Sequence, residues 1–104
     1  MNIKGSLPML VLRVLNTGDH HGYRIAKQIK EQSDGVLDFK EGTLYPTLHS
    51  LENQGLIESY EQDKNGRTRR YYRLTDAGRG ELVNQQAEWV QYSQAVNRIL
   101  NQEA

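Results

Sequence analysis

The chain has 104 residues and no cysteine, which excludes a disulfide framework and a zinc–thiolate site and fits a reducing cytosol. No apolar run reaches the roughly 18 residues that a membrane span needs, and the start lacks the form of a signal peptide. A cytoplasmic protein without a membrane partner is therefore expected. Net charge is missing too: thirteen Lys and Arg balance thirteen Asp and Glu, which argues against a generally basic nucleic-acid binder. Neither a nucleophile–base pair, nor a phosphate-cradling glycine loop, nor a metal cluster can be found, so neither an enzyme nor a cofactor is expected. Internal repeats and low-complexity segments are absent. At this length one modest core forms, and a partner subunit often completes the burial.

The charge that is present is unevenly placed. Five of the thirteen basic residues (Lys64, Arg67, Arg69, Arg70 and Arg73) fall in a ten-residue stretch without an acid, leaving eight against thirteen acids elsewhere. A basic ridge on an acidic body is a directional electrostatic footprint. Just before it lies EGTLYPTLHSLENQGLI, from Glu41 to Ile57. Leu44, Leu48 and Leu51 are four and three apart and share one side of a helix. At about 100° per residue the other side collects Gly42, Pro46, His49, Ser50 and Asn53, flanked by Thr43 and Tyr45. That side has little bulk and no carboxylate before Glu52, as a surface lying against phosphates requires. Gly55 can take the left-handed conformation that ends helices. Pro46 belongs in a first turn or at a kink, so either the regular helix starts nearer Thr43 or its first turn is bent.

In chain order, Ser6 to Asn16 reads as a helix that is apolar nearly all round, with Ser6 at the N-cap and Pro8 in the first turn. Thr17 to His20 is a short connection. A second helix is expected from about His21 to Gln32 with Ile25, Ile29 and Ala26 inward. Ser33-Asp34-Gly35 breaks it, and Val36 to Phe39 is an extended connector that tucks Leu37 and Phe39 under the leucine-faced helix. After Gly55, IESYEQ and RTRRYYRL surround Asp63-Lys64-Asn65-Gly66, a strong hairpin signal. Alternation turns Tyr72 and Leu74 toward the core, and Arg69, Tyr71 and Arg73 away from it. Thr75 and Asp76 offer a cap for one long helix to about Leu100. Along that helix Leu82, Gln86, Trp89, Ser93, Val96 and Leu100 recur at spacings of four and three, a seam of heptad type. Val83 and Val90 widen it on one side, Tyr92 and Ile99 on the other, beyond what the preceding domain could cover.

Three helices, a two-stranded ribbon with a charged tip and a last helix make a mainly α fold with a small β-ribbon (α+β). This is the order of a winged helix-turn-helix with a C-terminal dimerisation helix. The division falls at residues 1–75 for the DNA-binding domain and 76–104 for the dimerisation helix. The expected DNA contacts are Lys40, Thr43, Tyr45, Pro46, His49 and Ser50 on and before the third helix, with Lys64, Arg67, Arg69 and Arg70 on the ribbon. Leu7, Leu82, Trp89, Tyr92, Val96 and Leu100 are the expected dimer interface.

The stretches HGYRIAKQI, GTLYPTLHSLENQGLI and GRTRRYYRLTDAG, which lie between His21 and Gly78, closely resemble the PadR-like transcriptional regulators, a resemblance that extends over about Leu7 to Gly78. The resemblance implies a dimeric repressor of double-stranded operator DNA, relieved by a small molecule or a stress signal. The single short C-terminal helix is similar to the compact branch of that family, which includes a lactococcal multidrug-resistance regulator. In that regulator a tryptophan of the last helix stacks on flat aromatic drugs across the dimer, and Trp89 stands in the matching place. A hydrophobic aromatic effector would then meet Trp89, Gln86, Ser93 and Met9.

Plainer roles stand beside these. His20, His21 and His49 have no carboxylate or cysteine at ligand spacing and read as surface or capping residues. Tyr45 is either a core-edge ring or a DNA contact. One of Tyr71 and Tyr72 is buried and the other is a candidate for the DNA backbone. Trp89 is also ordinary interface packing by chemistry alone. A winged-helix module that binds protein and not DNA is the alternative function, disfavoured by the acid-free ridge.

Overall fold

Apolar residues nearly all round make the first helix an internal one. In the computed structural model, which describes residues 4–102, a short 3-10 turn (Lys4–Ser6) leads into α1 (Leu7–Leu15). Residues 1–3 and 103–104, the extremes of the two expected domains, lie outside the described residues. Ser6 stands at the N-cap but is already helical (φ −87°, ψ −12°), because the 3-10 turn runs straight into α1. Leu7, Val11, Leu12, Val14 and Leu15 are all buried.

A two-residue strand, β1 (His20–His21), precedes α2 (Gly22–Gln32). It corrects the expected plain connection and two-stranded ribbon: His20 pairs with Tyr72 and His21 with Tyr71, giving a three-stranded antiparallel sheet. Two residues carry no periodicity of their own, so only the neighbouring strand defines them. Helix α2 ends where Asp34 and Gly35 both take positive φ (53° and 83°). Gly35 N–H returns to the Lys30 carbonyl (2.8 Å) and Asp34 N–H to that of Glu31 (3.2 Å), which closes the helix end. Leu37 and Phe39 then pack on the core as expected.

Helix α3 (Glu41–Asn53) begins at Glu41, with Pro46 inside it. A start near Thr43 is thereby excluded. The ring removes one backbone bond, that to the Gly42 carbonyl four residues back, on the exposed side of the helix. The buried side holds it in place: Leu44, Leu48 and Leu51 are almost completely buried, each stabilising the fold by about 1.5–3 kcal/mol. Gly55 at φ 74° ends α3, with Gly55 N–H on the Glu52 carbonyl and Leu56 N–H on that of Leu51, both at 3.0 Å.

Strands β2 (Ile57–Lys64) and β3 (Arg67–Leu74) pair from Ile57–Leu74 to Lys64–Arg67. Asn65 and Gly66 have φ of 54° and 77°, the left-handed pair that a two-residue I′ turn requires. Ile57, Tyr72 and Leu74 face the core. Thr75 accepts the Gly78 N–H at 3.0 Å and so caps α4 (Asp76–Leu100). Its hydroxyl also reaches the carbonyls of Gly55 (2.7 Å) and Leu56 (3.0 Å), which ties the root of α4 to the end of α3. Only Gly78 and Leu82 of this 25-residue helix are buried. The molecule is drawn out to 61 × 28 × 22 Å.

Candidate nucleic-acid interface

The α3 surface opposite its leucines carries Gly42, Pro46, His49, Ser50 and Asn53, all exposed. Thr43 is half-buried. Ser50 is engaged from one turn further on, where Gln54 Nε2 reaches its hydroxyl (3.0 Å) and carbonyl (3.2 Å). Tyr45 is 36% exposed, and its ring lies over Gly22 at the start of α2. A methyl group at Gly22 would meet the phenol oxygen at 2.9 Å. The tyrosine is thus mainly a spacer between α2 and α3, with one edge left at the surface. Lys40, expected at the DNA, is exposed and bonded to Asp38 Oδ2 at 3.2 Å. Lys30 also approaches that oxygen at 3.6 Å. The hydrogen bond from Lys40 leads in holding the Asp38 carboxyl below its ordinary range.

In the hairpin every residue from Glu61 to Arg70 is exposed. Pairing divides the basic ridge in a way that composition does not show. Glu58 stands opposite Arg73 and Glu61 opposite Arg70, whereas Arg69 faces Gln62 and Lys64 faces Arg67. Arg73 is taken up locally, bonded to Glu58 Oε1 at 2.8 and 3.0 Å and lying 5.3 Å from the centre of the Tyr60 ring. The cations opposite no acid are therefore those nearest the tip: Lys64, Arg67 and Arg69. Thr68 donates its hydroxyl to Asp63 just behind them. Of the two adjacent tyrosines, Tyr72 is the buried one. Tyr71 stacks on Tyr60 at 5.8 Å and meets the His21 ring edge-on at 5.6 Å.

The two halves of the site converge. A cleft of about 630 Å³ is lined by Tyr45 and His49 from α3, Arg69, Arg70 and Tyr72 from β3, and the β1–α2 corner at His21 to Tyr23. That corner is a part of the site that sequence reasoning misses. His21 occupies the N-cap of α2, its Nδ1 3.4 Å from the Arg24 N–H, while its Nε2 lies 2.9 Å from Arg69 Nη1. Burial, followed by the Arg69 and Arg24 charges, lowers its pKa. The histidine before Gly22-Tyr23 was legible as a cap; its contact with an arginine 48 residues later was not.

The expected dimer residues separate into two groups. Leu7 is 0% exposed and Leu82 is buried beside it in the same core. The apolar surface of both is already covered within the protomer. Trp89 and Val96 are half-buried, with the Trp89 ring 6.2 Å from that of Tyr92. Val83, Val90, Tyr92, Ile99 and Leu100 are exposed, Leu100 at 73%. Met9 borders a shallow cleft with Glu81, Gln85 and Glu88, so within one chain it does not join the set Trp89, Gln86 and Ser93. No helix among the described residues is long and apolar enough to cross a membrane.

Several known proteins that share this arrangement are regulators of transcription. Residues 11–84 match the transcriptional regulator PadR-like family. A regulator from Clostridium thermocellum superposes with a TM-score of 0.86 at 33% identity, over 92% of this chain and 91% of that one. A PadR family transcription regulator from Clostridium difficile R20291 does so with a TM-score of 0.81 at 35% identity, over 93% of this chain and 100% of the other. The transcriptional regulator Rv3488 of Mycobacterium tuberculosis is 44% identical over 63 residues, which is 61% of this chain but 46% of that protein's length. With its family match, its fold and its relatives in agreement, this chain belongs to the PadR-like family of transcriptional regulators.

Proposed function

We propose that this chain is a homodimeric repressor that binds a double-stranded operator and is released by a hydrophobic aromatic effector or a stress signal. Residues 1–75 supply the DNA-binding domain and residues 76–104 the dimerisation helix. The observation that carries the reading is the shared cleft. It sets the carboxylate-free face of α3, through His49, beside Arg69 of a hairpin whose tip cations lie opposite no acid. In such an arrangement α3 enters the major groove and the hairpin follows the flanking phosphates. Lys64, Arg67 and Arg69 position the protein, Arg70 and the Asp38-bonded Lys40 contribute further charge, and Pro46, His49 and Ser50 with Thr43 and the edge of Tyr45 discriminate bases. Dimerisation through Trp89, Val90, Tyr92, Val96 and Leu100 would cover an apolar stripe larger than monomers usually expose. It would also set two α3 helices about one DNA turn apart.

Selection of bound duplexes from random DNA, followed by gel shifts of the selected site, tests this function. A two-fold-symmetric site bound in a salt-sensitive complex is expected. Recovery of no preferred sequence, with binding absent at low salt, would leave a protein-binding module.

A further inference from the structure

At the β1–α2 corner one imidazole has hydrogen-bond donors at both nitrogens. His21 Nδ1 faces the Arg24 N–H at 3.4 Å and Nε2 faces Arg69 Nη1 at 2.9 Å. A neutral imidazole has one acceptor nitrogen, and neither a guanidinium nor a peptide N–H can accept in return. The shorter, charge-assisted contact claims the lone pair, so the ring proton belongs on Nδ1 and the long capping contact is the one that yields. The surroundings reinforce the neutral state. Arg24 of α2, Arg69 of β3, Lys64 of β2 and His20 of the same strand all add positive potential, and the Tyr71 and Tyr23 rings pack against the imidazole. The cleft beside it, about 540 Å³, is lined by His21, Arg24, Lys64, Arg67 and Arg69. Asp19 is the one acid among its lining residues and already takes the Tyr60 hydroxyl at 2.7 Å.

The cleft gathers the cations and donors that suit an anion, and the surroundings favour the neutral form of its histidine in the free protein. An incoming phosphate oxygen competes for Arg69 and draws it off Nε2. The freed nitrogen then takes a proton from solvent, and the new N–H donates to the same phosphate group. We propose that His21 is a phosphate ligand of the DNA interface and takes up one solvent proton as the duplex binds, which makes DNA binding by this chain proton-linked. The inference rests on the reading that the hairpin follows the DNA backbone. Its sign is set by charge. Burial and four cationic neighbours disfavour the imidazolium in the free protein, whereas a phosphate favours it in the complex. Affinity therefore rises as pH falls, by at most about tenfold per pH unit for one proton.

The test is fluorescence anisotropy of the full chain with a labelled duplex of the selected site, at fixed ionic strength between about pH 6 and 8. Wild type should bind more tightly toward low pH, and His21→Gln should lose about one proton of that linkage. Ring resonances of His21 in the wild-type protein, followed by NMR with and without the duplex, should titrate at a higher pH in the complex. This arm does not depend on how the variant folds. An unchanged pH slope in His21→Gln, or a His21 titration at the same pH free and bound, would overturn the proposal. Absence of a DNA complex at every pH would overturn the DNA reading itself; tight but pH-insensitive binding would overturn this inference alone.

Discussion

Two parts of this molecule stand away from its core, and they are made of opposite materials. The hairpin ends in Lys64, Arg67 and Arg69; α4 exposes Val83 and, in its distal half, Val90, Tyr92, Ile99 and Leu100. Each is held in shape by its own backbone bonds, the hairpin by an eight-residue ladder and an I′ turn and the helix by its own spiral. Each is rooted in the core, the hairpin by Ile57, Tyr72 and Leu74 and the helix by Leu82, and its outlying side chains are left for other molecules. What differs is the solvent that each can tolerate. Charged tips are well hydrated when unbound and exchange counterions for phosphates on contact, whereas an apolar helix face is satisfied only when another surface removes it from water. One projection thus suits reversible contact with DNA and the other suits lasting contact with a second copy.

The joint between the two is where a substitution should do most damage. A Cβ at Gly78 would overlap the Leu56 carbonyl oxygen and crowd Leu74, just where Thr75 ties α4 to the end of α3. Gly78→Ala is expected to destabilise the fold by about 3 kcal/mol, at the upper end of overpacking effects. Gly80, two residues on, has open space around its Cα, and Gly80→Ala should stabilise by about 0.5–1 kcal/mol through helix propensity. Denaturant midpoints of the two variants check the contrast, and equal effects would show that the joint is not tight.

Placing charge on the apolar projection comes next in size. Val90→Glu with Val96→Glu should weaken self-association by about 2 kcal/mol or more per site and give a folded monomer at micromolar concentration, as read by sedimentation. A wild-type monomer would sink the dimer proposal outright. On the charged projection, Arg67→Ala with Arg69→Ala should weaken binding to all duplexes similarly and lower the salt slope by about one unit per lost phosphate contact. His49 or Ser50 replacements should alter preference among sequences instead. If the wing variant changed preference and left the salt slope alone, the division of roles would be wrong.

The smallest effect concerns Trp89, the only tryptophan. Gln86 and Ser93, one turn either side of it on the seam, weaken close apolar packing and leave room for a flat guest, which would gain about 0.5–1.5 kcal/mol per aromatic pair beyond area burial. Planar dyes should quench its fluorescence at micromolar levels, and Trp89→Ala should abolish their binding. Unchanged emission, or equal binding by the variant, would make Trp89 plain packing.

Most of the element order was legible because it rests on local rules. Leucines four and three apart mark the buried side of α3, Asn65-Gly66 demands its turn, Thr75 caps the last helix, and alternation in RTRRYYRL puts Tyr72 inward. The strand β1 was not legible, since His20 and His21 become a strand only by lying beside Tyr72 and Tyr71. For the same reason the basic ridge looked uniform in one dimension. Glu58 pairs with Arg73, and Glu61 comes to stand opposite Arg70, only after β2 folds back on β3.

The sequence by itself therefore determined which segments other than β1 are helix or strand, which face of each is apolar, and that charge collects near one turn; all of these depend on neighbours within a few positions. Tertiary structure alone decided that Leu7 is spent on the protomer's own core, that Tyr45 spaces α3 from Gly22, that Lys64, Arg67 and Arg69 are the cations left opposite no acid, and that His21 meets Arg69. Each of these depends on residues distant in the chain but within a few ångströms in space, where packing and hydrogen-bond valence select among side chains that composition treats as equal.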